Sequence, residues 1–243
     1  MRNTLFPLLA LSLAFAPAQA LAQSGAEPAW SVGGSVTGAS DYVWRGVSQT
    51  SEDPALLLDL YAEHESGWYV GASAANVDFD DPDDGMDWEL EPYVGWSGDL
   101  GAGAGLDVYV SRVMYPGHAD GYDIDYTELN ATVSFAGYYH VGLAYSPDIF
   151  NLGEKGLYYN AGAEWPLGES GLTLAVQAGH YDLDDAAGDS YSDWMVGLSR
   201  GFGPVDVQLQ YTDTSSFGEI LGESVGDPAW ADGRAALLAT WEF

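Results

Sequence analysis

The chain contains no cysteine. That excludes a disulfide framework, a thiolate metal site and a cysteine nucleophile. Positive charge is almost as scarce: 6 Lys and Arg stand against 37 Asp and Glu in 243 residues, a net charge of −31. Neutralising a phosphate backbone takes clustered cations, so nucleic acid is excluded as a partner. Docking onto an anionic bilayer surface is disfavoured for the same reason. Beyond the N-terminus no uninterrupted apolar stretch reaches the ~20 residues that a spanning helix needs. What the chain does have is 47% apolar residues, 14% aromatics and 31 glycines. That is too apolar for a disordered acidic chain. The composition points to an ordered, all-β protein outside the cytoplasm.

The N-terminus reads as an export signal. Met1-Arg2-Asn3 is a short positive start, Leu5 to Phe15 is an apolar core, and Ala18-Gln19-Ala20 or Ala20-Leu21-Ala22 supplies small residues for cleavage. Pro7 and Pro17 interrupt the run, which argues against a membrane anchor. The division expected is 1–22 signal peptide and 23–243 mature domain, with Arg45, Arg112, Lys155, Arg200 and Arg234 as the remaining cations.

The mature chain alternates with period two, the periodicity of strands. In Val205 to Tyr211, the apolar residues Val205, Val207, Leu209 and Tyr211 share one face, and Asp206, Gln208 and Gln210 the other. Leu56, Leu58 and Leu60 likewise oppose Asp59 and Glu63, and Leu106, Val108 and Val110 oppose Asp107. At the C-terminus Ala235, Leu237, Ala239, Trp241 and Phe243 oppose Arg234 and Glu242. The pattern predicts twelve strands: 30–40, 55–65, 67–77, 87–97, 104–115, 123–135, 138–147, 156–165, 171–182, 191–201, 204–213 and 232–243. Each is near the length a tilted strand needs to cross a bilayer. Short Gly- or Pro-bearing turns alternate with the longer polar connections 41–54, 78–86, 116–122, 148–155, 183–190 and 214–231. Short turns on one side and long loops on the other are the loop rule of an outer-membrane barrel. A secreted β-sandwich would alternate too. The barrel is favoured by aromatics toward the strand ends (Trp88, Trp96, Trp165, Trp194, Tyr211, Trp241) and by charges and Gly on the polar face. The apolar C-terminal pair Trp241 and Phe243 is similar to the segment read by barrel-assembly machinery. The expected class is a closed antiparallel up-and-down transmembrane β-barrel, exported to the outer membrane and meeting outer-membrane lipid and lipopolysaccharide. Oligomeric state is not legible.

One segment carries a family resemblance. Ser40-Asp41-Tyr42-Val43-Trp44-Arg45-Gly46-Val47-Ser48-Gln49-Thr50, followed by Pro54-Ala55, resembles the S-D-Y-x-[FW]-R-G-[VI]-S-Q-T motif of the proteobacterial TorF-family porins, also catalogued as the Gcw_chp conserved hypothetical proteins. The resemblance implies an outer-membrane barrel and a channel, with no assigned substrate. From its residues alone, Arg45 has two readings. It is a constriction or mouth element that fixes a loop or meets solute, or it is a clasp to a carboxylate that closes the barrel between first and last strands.

The lumen-facing set by register is Asp59, Glu63, Glu89, Glu91, Asp107, Glu164 and Asp206, with Arg234 as the basic member. Carboxylates around a wet pore concentrate cations and repel anions. The expected function is passive diffusion of small cationic or neutral solutes through a narrow acidic lumen. The alternative is a non-conducting structural or surface barrel whose acidic loops meet cations. Asp78, Asp80, Asp81, Asp83, Asp84 and Asp87 crowd one loop, but Pro82 occupies a ligand place of the EF-hand spacing, and such runs are usually solvated. No metal or cofactor is expected. His118 and His180 near Asp residues make an outer-membrane hydrolase conceivable, but no spacing singles out a catalytic pair, and no catalytic residue is assigned.

Overall fold

The computed structural model describes residues 29–222 and 224–243. The signal peptide and its cleavage site lie outside the described residues. Twelve antiparallel strands close into a barrel: β1 (Trp30–Ala39), β4 (Ala55–His64), β5 (Trp68–Asn76), β6 (Trp88–Gly101), β7 (Ala104–Val113), β8 (Tyr126–Phe135), β9 (Tyr139–Ser146), β10 (Gly156–Pro166), β11 (Leu172–Asp182), β12 (Tyr191–Phe202), β13 (Val205–Ser215) and β14 (Arg234–Glu242). Consecutive barrel strands are neighbours, and the ring closes where β1 meets β14, with Ser35 opposite Glu242 and Ala39 opposite Leu238. Closure leaves no free strand edge, so every strand is hydrogen-bonded on both sides. The connection after β1 departs from the sequence expectation. It is a second, two-stranded sheet, β2 (Val43–Trp44) with β3 (Val47–Ser48), in place of an extended polar loop.

The alternation is inside out relative to a soluble sandwich. On β4, Leu58 is 38% and Leu60 58% exposed, while Asp59 between them is 3% exposed. Val32, Leu209 and Leu237 are exposed on the same outer surface. An apolar belt of this extent on a closed ring is a surface for hydrocarbon. Trp30, Trp68, Phe202, Trp241 and Phe243 border it at the short-turn end, and Trp88, Trp194 and Tyr211 toward the long loops, all exposed. Trp96 and Trp165 are half-buried. No helix among the described residues is long and apolar enough to cross a membrane.

Glycines on the inner wall let tyrosine rings lie flat against the neighbouring strand. Gly71 on β5 is paired with Tyr93 on β6. A Cβ on Gly71 would meet Tyr93 Oη and the Leu60 carbonyl. Gly95 is covered in the same way by Tyr69, and Gly179 by Tyr158. Each ring then directs its hydroxyl to a carboxylate of the wall. By contrast, Gly38 on the outer face of β1 has nothing within 4 Å of a Cβ. Gly71→Val is expected to destabilise the barrel by about 1–3 kcal/mol through overpacking. Gly38→Val is expected to stay within about 0.5 kcal/mol of the parent. Thermal melts of the two detergent-solubilised variants check this contrast.

Candidate functional site

The motif segment 40–50 folds into the barrel interior. Arg45 and Gly46 form the two-residue turn of the β2–β3 hairpin with φ of 47° and 85°. Both angles being positive marks a type I′ turn, which accepts glycine readily and other residues reluctantly. A Cβ at Gly46 would collide with Thr214 of β13 and Asp193 of β12, so glycine sets how deeply the tip can sit. Behind the tip, Asp41 accepts a 2.6 Å hydrogen bond from the Ser48 hydroxyl. Thr50 Oγ1 accepts from the Tyr42 N–H at 3.2 Å and donates to the Asp53 carbonyl at 2.7 Å. The Gln49 N–H donates to the Tyr42 carbonyl at 2.7 Å. Ser40 ties the segment to β14: its N–H donates to the Leu237 carbonyl, and its Oγ accepts the Leu237 N–H. The polar motif residues thus hold the hairpin's shape and position.

Arg45 is the central residue of this arrangement. It is buried, and its Nη2 donates to Glu128 Oε2 of β8 at 2.8 Å. The guanidinium carbon lies 4.2 Å from the Trp44 ring, 4.4 Å from Tyr158 and 4.6 Å from Tyr181. Cation–π attraction from desolvated rings adds to the ion pair. Burial is the largest single influence and works against the charged form, but Glu128 together with Tyr181 and Tyr126 outweighs it, so the guanidinium stays protonated. The clasp between first and last strands expected as one reading of Arg45 is therefore corrected. Arg45 reaches across the lumen to β8, because the connection folds inward. A cation does link the two ends of the ring, and it is Arg234. Its Nη1 lies 3.5 Å from Asp41 Oδ2 and 3.3 Å from Glu52 Oε1, and its Nη2 donates to the Ala229 carbonyl at 2.7 Å.

Around the hairpin, the long loops pack into one core. Tyr42, Val47, Met86, Tyr115, Ile149, Phe150, Leu183 and Leu221 come from six different connections and are all buried. Rings link them to the wall, Phe150 lying against Tyr126 at 5.3 Å and Trp44 against Tyr181 at 5.8 Å. Beyond this packed end the lumen opens into a cavity. Glu89, Glu91 and Asp107 line it, together with Glu128 and Arg45.

The carboxylates of the lumen-facing set sit in distinct settings. Asp59 accepts from the Tyr93 hydroxyl at 2.8 Å, and Asp107 from the Tyr69 hydroxyl at 2.9 Å. Glu89 accepts from Tyr42 and Tyr115, each at 2.9 Å. Glu91 is half-buried at the cavity. Glu63, Glu164 and Asp206 stand nearer the short-turn end, where Asp206 is exposed. Glu128, which pairs with the guanidinium, and Asp193, which lies against Gly46 at the hairpin tip, are absent from the expected set. Extending the period-two rule through 126–135 and 191–201 would have placed both indoors.

The acidic loop stretches turn back on themselves. Asp78 accepts from the Asp80 N–H, Asp81 from that of Asp83 and Asp84 from that of Met86. Among the described residues no group of His, Asp and Glu is arranged to hold a metal ion. The two histidines considered for hydrolysis are apart in role. His118 Nδ1 lies 3.3 Å from the Ala119 carbonyl, within a loop. His180 lies on the outer face of β11, its ring tilted against that of Tyr159 at 5.3 Å, with Nδ1 2.9 Å from Ser192 Oγ. The flanking strand amides there belong to the barrel's ladders, which leaves them poorly placed as an oxyanion hole.

A closed ring of twelve strands with an apolar exterior, a polar lined interior and an inward-folded loop defines the class: a porin-type β-barrel. The KdgM porin matches with a TM-score of 0.53 at 8% identity, over 87% of this chain and 99% of that one. The NanC porin matches with a TM-score of 0.53 at 11% identity, over 86% of this chain and 98% of that one. KdgM has also been solved in complex with disordered oligogalacturonate; that structure covers 87% of this chain and 98% of its own, at a TM-score of 0.52 and 8% identity. These likenesses concern the fold. Residues 22–230 match the model of the family described as bacterial protein of unknown function (Gcw_chp), and the chain belongs to that family. A search of curated proteins returns no relative.

Two expectations follow from this geometry. Arg45→Met should destabilise the barrel by about 3–5 kcal/mol, since it leaves Glu128 buried and uncompensated. The double variant Arg45→Met, Glu128→Gln should be more stable than either single variant, as measured by denaturant unfolding. The second concerns Tyr42 and Tyr115, whose hydroxyls are pushed well above the ordinary tyrosine value, by burial first and then by the neighbouring Glu89. Their contribution to stability is complete below the unfolded-state value of about 10 and declines as pH rises above it. Alkaline unfolding should therefore be blunted in Tyr42→Phe and Tyr115→Phe relative to the parent.

Proposed function

We propose that this protein is an outer-membrane diffusion channel for small hydrophilic solutes, cationic or neutral, with the motif hairpin as its constriction element. The observation that carries the reading is the charge of the lumen wall. Asp59, Glu63, Glu89, Glu91, Asp107, Glu164 and Asp206 face inward. The cations near them, Arg45 and Arg234, are each held against carboxylates. Field lines focused in a narrow, low-dielectric-walled passage enrich cations and deplete anions. A polyanion such as the oligogalacturonate held by the KdgM porin is accordingly not a solute of this lumen. The motif at 40–50 supports a finer placement among the TorF porins. The apolar exterior fits outer-membrane lipid and lipopolysaccharide, the C-terminal Trp241 and Phe243 suit recognition by assembly machinery, and 1–22 acts as the export signal.

A second reading draws on the packed core of the long loops. A barrel filled at that end would be a structural or surface protein that passes no ions. Planar-bilayer recording in a salt gradient separates the two. The channel reading expects single-channel steps and a reversal potential on the cation-selective side. It also expects reduced selectivity in Glu91→Gln with Asp107→Asn, and larger steps when residues 43–48 are replaced by a short glycine linker. Silence in all variants, or anion preference, overturns it.

A further inference from the structure

The cavity beneath the hairpin has a chemistry of its own, and it joins acceptors, aromatic faces and unsatisfied donors on Asn130 and on Arg45, which is already paired with Glu128. Glu89, Glu91 and Asp107 line it, and among the described residues none of the three takes part in an ion pair. Glu89 and Asp107 are each engaged by tyrosine hydroxyls, which are neutral donors. Glu91 has neither an ion pair nor a tyrosine donor directed at it. An acidic cluster by itself is commonly just hydrated, but here a second feature points to a ligand. Asn130, on β8 in the same lining, is 8% exposed, and its Nδ2 has no hydrogen-bond partner. Buried amide groups left without a partner are rare and costly, so an unused donor on a cavity wall marks where an acceptor belongs. Tyr93 and Tyr109 supply ring surface, their centroids 6.3 Å apart and edge-to-face.

We propose that this cavity binds a small hydroxylated primary amine, an amino alcohol or amino sugar. The ammonium lies against Glu91 with its N–H groups donating to carboxylate oxygens. A neutral oxygen accepts from Asn130 Nδ2, and the C–H surface packs on Tyr93 and Tyr109. Each part of the ligand answers one feature of the wall. A neutral sugar offers Glu91 no cation to pair with. A quaternary ammonium brings charge but no N–H donor for the carboxylates. An anionic sugar is repelled because four carboxylates, Glu89, Glu91, Asp107 and Glu128, stand in the lining against Arg45 alone. The inference deepens the channel reading, because it assumes that solute reaches the lumen, and it names the solute class.

The test is isothermal titration of the full barrel in detergent with glucosamine, against glucose, galacturonate and tetramethylammonium. Glucosamine should bind saturably at one site, at least tenfold more tightly than glucose or tetramethylammonium, and galacturonate should give no heat of binding. Glu91→Gln should weaken glucosamine at least tenfold and Asn130→Ala severalfold. The comparison of ligands on the parent protein does not depend on either variant folding. No saturable glucosamine binding, or glucose binding as tightly, overturns the proposal, as does unchanged affinity in two folded variants. Binding without bilayer conductance supports the site while removing the channel reading, and conductance without binding removes the site alone.

Discussion

A single guanidinium, placed by a tight turn at the heart of a barrel, organises the interior of this protein. Arg45 can be buried only because Glu128 and three aromatic rings receive it, and those groups come from β8, β10, β11 and the hairpin itself. The hairpin can reach them only because position 46 has no side chain. The loops then have something to pack against, and their apolar residues join one core with the rings of the wall. Without the ion pair, a segment with strongly polar neighbours would have little reason to leave water for the inside of a sheet.

The barrel itself obeys a different constraint, the reversal of the usual partition of polar and apolar groups. Asp59 is shielded and Leu60 beside it is not. Neighbouring strands repeat that inversion, and the polar side is finished by tyrosine hydroxyls meeting carboxylates across the wall. Glycine on the inner face is a packing device, giving each ring a flat bed on the next strand. The same rings supply the aromatic surface of the cavity.

Much of this was legible from the residues in order. The period-two alternation of Leu56 to Glu63 and of Val205 to Tyr211 is a local property, fixed by the strand's pleat, and it places the strands to within a few residues. The alternation of short and long connections gave the architecture, because hairpin geometry limits a tight turn to adjacent strands. What could not be read was anything requiring two distant segments to meet. Arg45 and Glu128 are 83 positions apart, and nothing near either residue names the other. The clasp expected of Arg45 is in fact made by Arg234 and Asp41, 193 positions apart. The 41–54 connection looked like a polar loop because the residues that turn it inward, Asp41, Ser48 and Thr50, satisfy one another and not solvent.

The seam has a bearing on how the ring comes to exist. Thr37 and Thr240 share a hydroxyl contact of 2.8 Å across a separation of 203 residues, and the Phe243 backbone exchanges both hydrogen bonds with Gly34. Every other junction of the ring joins strands that follow one another along the chain. Assembly can therefore zip forward locally as a growing ribbon, and a single long-range event, the last strand finding the first, converts ribbon into cylinder. Until that moment two raw margins are exposed, with an oily face on one side. The most hazardous interval is thus the wait for the final segment, with both margins and the oily face open to water at once.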